Sequence, residues 1–447
     1  MQPDWQIKIS GDAKLHDNTL LAGKDLIKKL DLPAKQVITL QFGQSRYPMN
    51  LVIDPLLPAD HLKINPAVLD KTGLRNNRFY TIKYNKQSIR VGPYIGIAAN
   101  LKPDKKKPFG GQTFFIRQLI EQAQAMGAVC FAFSLHDINF LQAQIRGFTY
   151  INNVWEKRLY PLPDVIYPRS NDEINRYILR RKLIKMGVHF FNPPGIGKWG
   201  TYNALLKNPR LIKYLPVTHL LNNFSELDKM LHKYHHVYLK PITGSQGKNI
   251  IRISQSRHPG VYEYQYQIKQ RRINAKANNL KELEHHLLSS MGKKHYLAQQ
   301  QINLLRRDGC IMDLRVMTQK NRTGKWLVTG KAFRIGTVGS ITSNISGGGR
   351  VGDIQTMLNL YFNRKRVEEI INEVDFLALE TARTLEDRLG PIGELGIDIG
   401  VDQTGKIWLI EANLKPARKI FTLIGDYETR LLSVRRPVEY CIYLAGF

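Results

Sequence analysis

Asp398, Glu411 and Asn413 are three oxygen-bearing side chains set into two apolar runs, Glu394–Val401 and Lys406–Asn413, that a short Asp-Gln-Thr-Gly turn separates. Strand side chains alternate between faces, so Glu411 and Asn413 point the same way, and an even-length turn would bring Asp398 onto that face from the facing strand. Leu395, Ile397, Ile399 and Val401 would then share the other face with Trp408, Ile410 and Ala412. Two crowded carboxylates repel unless a cation joins them, and hard oxygen ligands suit Mg²⁺. The plain alternative is a surface hairpin with acids on its wet face.

Further chemistry-bearing residues precede this hairpin. Val237–Pro241 reads as a strand ending in Lys240, followed by Gly244, Ser245, Gln246, Gly247 and Lys248 and then a second strand. Two glycines around small polar residues give a flap whose backbone N–H groups can close over phosphate oxygens, with Lys240 and Lys248 adding charge. GxxxxGK[ST] spacing is absent, so this is not a Walker A loop, and an ordinary hairpin turn remains open. His295–Asn303 reads as a strand running into a linker that could meet an adenine edge through its backbone, or as a plain strand end. Asp313 and Arg315 sit two apart and share a strand face. With Lys331 and Arg334 on the next strand they gather cations in a way that an anion would relieve, although a salt-bridged strand pair would also account for them. Asn344 lies in a second glycine-rich loop, Ser343–Arg350.

The elements that must position these residues follow from periodicity. Residues 1–90 read as a small, mostly β domain of short strands between Gly, Pro and Asn turns, with one helix over Gly23–Leu30. From residue 91 to 195, the strand Val91–Ala98, the basic loop Lys102–Pro108, the helical Thr113–Met126 and the apolar Ala128–Ser134 form a βαβ pattern with a parallel sheet. Residues 196–447 alternate helices, among them Phe224–Lys233, Leu280–Met291 and Arg364–Leu389, with antiparallel strands. The fold class is therefore α+β and α/β, in several domains.

Composition bounds the function. The chain has 447 residues, with 66 Lys plus Arg against 37 Asp plus Glu, a net charge of +29 that favours anionic partners. Candidates are nucleotide phosphates, nucleic acid, acidic polymers or an anionic membrane. No helix-turn-helix, zinc-finger or RNP-type pattern is present, so specific nucleic-acid binding is not expected. Three isolated cysteines and a polar start, with no apolar run of bilayer length, predict an intracellular protein with reduced thiols and no transmembrane segment.

The order of these parts, from lysine-ended strand through glycine flap, hinge, D-x-R strand and K-x-x-R strand to D…E-x-N, resembles the ATP-grasp superfamily over residues 196–447. The segments Gly92–Ile97, Gly244–Gly247, Asp313–Val316 and Ile410–Pro416 look like the YheC/YheD group of endospore-coat-associated proteins. The resemblance implies a pre-ATP-grasp α/β domain followed by two α+β subdomains that clasp ATP. It implies Lys240 near the adenine and α-phosphate, Gly244–Lys248 over the β- and γ-phosphates, and Gln299, Gln300, Gln301 and Ile302 as the adenine hinge. Asp398, Glu411 and Asn413 would hold Mg²⁺, while Arg315, Lys331 and Arg334 would neutralise the transferred phosphoryl group. The implied activity is an ATP-dependent carboxylate–amine ligase acting through an acyl phosphate, in the sporulating mother cell or spore coat. Its carboxylate and amine substrates are unspecified, and spore-coat components or acidic polymers are expected partners. The alternative is a non-catalytic nucleotide-binding or structural coat protein. Gln299–Gln301 depart from many relatives, which carry a glutamate there, and this bears on ribose recognition.

Overall fold

The computed structural model describes residues 5–32, 37–85, 87–170, 173–244, 249–268, 271–292, 294–343 and 348–447. The chain divides into two compact units. The first comprises residues up to 194 with 320–325 and 431–447, and the second comprises 195–319 with 326–430.

In the first unit, seven strands between Trp5 and Gly92 close into a barrel. Alternation drives this closure: along Val37–Phe42 the residues Ile38, Leu40 and Phe42 are buried while those between are not. Beside the barrel lies a sheet whose strands Tyr94–Ala98, Val129–Phe133, Val165–Pro168 and His189–Phe190 run parallel. Its strands are apolar on both faces because one face packs on the barrel and the other on helices. The sequence pattern runs the last domain to residue 447, whereas Val434, Val438, Tyr440 and Cys441 join the core of this first unit.

The second unit holds two sheets. A six-stranded sheet is ordered Thr218–Leu220, Tyr296–Gln300, His236–Pro241, Ile251–Gln255, Tyr262–Ile268 and Arg271–Ala277. The helices Phe224–Tyr234 and Leu280–Met291 cover one of its faces, each started by an asparagine, Asn223 or Asn279, that accepts from a backbone N–H inside the first turn. The other sheet is ordered Arg350–Gly352, Trp326–Ile335, Cys310–Lys320, Glu394–Val401 and Ile407–Asn413, with Arg306–Arg307 paired to its middle strand. The 26-residue helix Arg364–Leu389 packs Val367, Ile370, Val374, Leu377 and Ala378 against Met312, Leu314, Val316, Ile397 and Ile399. Burying each large side chain of this kind stabilises by about 1.5–3 kcal/mol. The sheet face turned away from this helix carries Asp313, Arg315, Arg334 and Asp398.

Candidate functional site

The terminal hairpin brings its acids together by a route that simple alternation does not give. Five residues, Asp402–Lys406, connect the strands and set Val401 opposite Ile407. Continued unchanged, that register would place Asp398 opposite Ile410. A bulge intervenes between Asp398 and Ile399, so Asp398 stands opposite Glu411 and Gly396 opposite Asn413. The three oxygen-bearing side chains therefore share one face, as expected, although the turn is odd in length. The same bulge changes the apolar face: Ile407 and Leu409 are buried there, not Trp408 and Ile410. Trp408 instead donates its indole N–H to Asp402 at 2.9 Å and carries Lys406 over its ring.

Asp398 also stands opposite Arg315 on the neighbouring strand. Arg315 Nε donates to Asp398 Oδ1 at 2.6 Å, and Arg334 Nη2 lies 2.9 Å from Oδ2. Arg334 makes a bidentate pair with Asp313 at 2.7 and 2.6 Å. All four side chains are nearly buried. Burial would push Asp398 up, but the two guanidinium groups outweigh it and hold its carboxyl below the usual range. Burial likewise opposes the Arg334 charge, and Asp313 and Asp398 overcome it to hold its pKa above the ordinary value.

Lys331 does not join this group. It is three residues from Arg334 on one strand, so the two point to opposite faces. Its ammonium donates to both Asp375 oxygens, at 2.5 and 2.6 Å, on the long helix behind the sheet. The expectation that Lys331 neutralises a transferred group is corrected by this strand geometry.

On the other sheet, Lys240 Nζ donates to Gln299 Oε1 at 2.5 Å. Gln299 Nε2 donates to Thr218 Oγ1 at 2.8 Å, and Thr218 Oγ1–H donates to the Pro216 carbonyl at 2.9 Å. Each partner fixes the orientation of the next, so the amide oxygen is the atom aimed at the lysine. Desolvation is the main cause that pushes the Lys240 pKa down to about 8; Lys198 adds to it, while Glu411, Asp398 and Asp313 oppose it. These partners bring the lysine of one sheet into the field of the acids on the other.

Lys198, in the first turn of the helix Gly197–Leu206, was not picked out by the sequence reading. Its Nζ donates to the Gly244 carbonyl at 2.6 Å and lies 3.4 Å from Glu411 Oε1. A lone lysine at a helix start gives no pattern to find. Gly244 has φ +119°, backbone that favours glycine. Ser245, Gln246, Gly247 and Lys248 lie outside the described residues, as does Asn344. In the hinge, the Gln300 and Gln301 backbone N–H groups donate to the Val217 and His236 carbonyls, and their side-chain oxygens accept from the Val217 N–H and Arg252 Nε. Ile302 follows the strand end and accepts from the Leu304 N–H. The Asn413 side chain has no hydrogen-bond partner among the described residues, among which no cluster of three His, Cys, Asp or Glu gathers either. No helix among them is long and apolar enough to cross a membrane.

A sequence model described as YheC/D-like ATP-grasp matches residues 187–444. The endospore coat-associated protein YheD of Bacillus subtilis (strain 168) is 32% identical over 375 residues, which cover 81% of this chain and 81% of that one. The endospore coat-associated protein YheC of the same strain is 23% identical over 338 residues, 73% of this chain and 91% of its own length. Among solved structures, D-alanyl-alanine synthetase A from Vibrio cholerae O1 aligns over 79% of this chain and 98% of that one, at 13% identity and a TM-score of 0.46.

Proposed function

We infer, from a chain that belongs to the YheC/D-like ATP-grasp family, that its second unit binds ATP with Mg²⁺ and ligates a carboxylate to an amine. The observation that carries this reading is the face shared by Asp398, Glu411 and Asn413, in electrostatic reach of Lys240. Two carboxylates and an amide without a hydrogen-bond partner among the described residues, on neighbouring register positions, are a hard-oxygen donor set of the kind Mg²⁺ takes alongside phosphates. Asp398 would share its oxygens with Arg315 and Arg334, which a carboxylate's roughly four acceptor positions allow. Bound there, the ion would neutralise phosphate charge and orient the triphosphate.

The chain's own groups supply the rest. Lys240 and Lys198 offer two cations to the phosphates, and Gly244 begins the flap over them. Among the described residues, the Ile302 N–H is the hinge group left for an adenine edge. Arg315 and Arg334 would stabilise charge on the γ-phosphoryl group in transit. The substrate carboxylate takes that phosphoryl group from ATP, giving an acyl phosphate and ADP. An amine nitrogen then attacks the acyl carbon, the C–O bond to phosphate breaks, and the amine proton leaves with phosphate or solvent. Positioning and charge neutralisation carry this chemistry, which needs no dedicated protein base.

The names of the relatives support an action connected with sporulation and the endospore coat. A second reading, nucleotide binding without turnover in a coat protein, draws on the arginine partners that already neutralise Asp398. The two separate on incubation with ATP, Mg²⁺ and pools of acidic and amine-bearing peptides. A ligase releases ADP and phosphate and adds mass to an acceptor only when both substrates are present. ATP binding without ADP release across the pools would favour the second reading.

A further inference from the structure

A groove of about 1050 Å³ opens in the first unit, beside the helix Thr113–Ala125 and the loop that precedes it. Lys102, Lys105, Lys106 and Lys107 line it from that loop, and Arg117 reaches it from the helix. Asp104 is the one acid of its lining among the described residues, and Asp104 Oδ1 accepts from the backbone N–H groups of Lys106 at 2.8 Å and Lys107 at 3.1 Å. The Lys102 N–H donates to the Pro108 carbonyl at 2.8 Å and ties the loop's ends together. The lysines thus ride on a hydrogen-bonded turn rather than a loose tail. None of the four has a carboxylate partner among the described residues. Like charges held this close repel, and an entering anion relieves that cost.

The far wall is the tip of the hairpin formed by Gln144–Ile151 and Val154–Pro161, and Phe114, Tyr150 and Trp155 supply apolar surface. These rings are engaged with protein. The Arg117 guanidinium lies 5.2 Å from the Phe114 centroid and 5.3 Å from that of Tyr150. Trp155 meets Tyr150 and Phe109 edge-on, at 5.0 and 5.3 Å. Single-stranded nucleic acid is held by rings offered as stacking platforms, and phosphate favours the arginine fork. Here one arginine is committed to the ring wall, and four point-charge ammonium groups crowd into six residues of loop.

We propose that this groove docks an acidic polypeptide segment, its carboxylates on Lys102–Lys107 and its aliphatic stems on the Phe114–Trp155 surface. The site stands on the first unit alone, independently of nucleotide binding in the second. The test is fluorescence anisotropy of the full chain with a labelled oligo-glutamate peptide at about 0.15 M salt, where distant charges are screened. The variant K105E/K106E/K107E changes only exposed side chains, and K229E/K281E/K365E moves the same charge elsewhere on the surface. The loop variant is expected to weaken binding at least about tenfold while the control stays within about twofold. Equal losses in both variants would show bulk charge alone and overturn the proposal. So would an unchanged loop variant, or a single-stranded oligonucleotide of matched charge that binds the groove more tightly than the peptide.

Discussion

The two sheets of the second unit handle charge in opposite ways. On the sheet that ends in the acidic hairpin, Asp313 and Asp398 have guanidinium partners at hydrogen-bonding distance. On the lysine sheet, the cation of Lys240 rests against a neutral amide that Thr218 holds in place. Paired charges secure the geometry of the first sheet. The cation of the second has no carboxylate in hydrogen-bonding contact among the described residues, and its desolvation is costly to the free protein.

The largest effect should come from breaking a pair on the acidic sheet. Arg334→Met leaves Asp313 and Asp398 buried without it, and urea unfolding should report a loss of about 3–5 kcal/mol. Lys240→Met removes a desolvated charge instead, so its unfolding midpoint should hold or rise while ATP affinity falls about 10- to 100-fold by calorimetry. A matching loss of stability in the two variants would erase the distinction between the sheets.

Proton linkage sharpens it. With a pKa near 8, below its ordinary 10.5, Lys240 is charged below that pH and neutral above it in the free protein. A phosphate at Lys240 would favour the charged form, so binding should take up a proton above pH 8. ATP affinity should then fall as pH rises through 8, approaching about tenfold per pH unit, and Lys240→Met should flatten that slope. The unfolded chain holds the proton up to the ordinary lysine pKa, so the free protein should gain stability between those two pH values. Gln299→Glu places a carboxylate on the ammonium, which raises the lysine pKa and moves the break to higher pH. It should also cost about tenfold in ATP affinity, because the cation is then already neutralised. Smallest of all, Lys331→Met on the back of the acidic sheet should cost at most about 1 kcal/mol and leave ATP affinity unchanged.

Strand alternation made much of the site readable. Period two put Glu411 with Asn413 and Asp313 with Arg315, and the helices Leu280–Met291 and Arg364–Leu389 have the bounds that apolar spacing predicts. The same rule, applied to the three-residue step from Lys331 to Arg334, would have separated those two. Register was not readable. The extra residue at Ile410 that restores Asp398 to Glu411 is a local irregularity that leaves Ile407 and Leu409 in the core, and period-two alternation does not announce it. Lys198 and Thr218 lie 42 and 22 residues before Lys240 and reach it only through the tertiary fold, so no spacing announces them.

The central claim is that the face shared by Asp398 and Glu411 holds the magnesium of a bound nucleotide. Titration calorimetry of ATP with and without Mg²⁺, on the wild type, Asp398→Asn and Glu411→Gln, addresses it most directly, because both substitutions keep side-chain shape. The account predicts that Mg²⁺ strengthens ATP binding in the wild type and that each substitution removes that gain, lowering affinity at least about a hundredfold. Unchanged Mg²⁺-dependent affinity in both variants would contradict it.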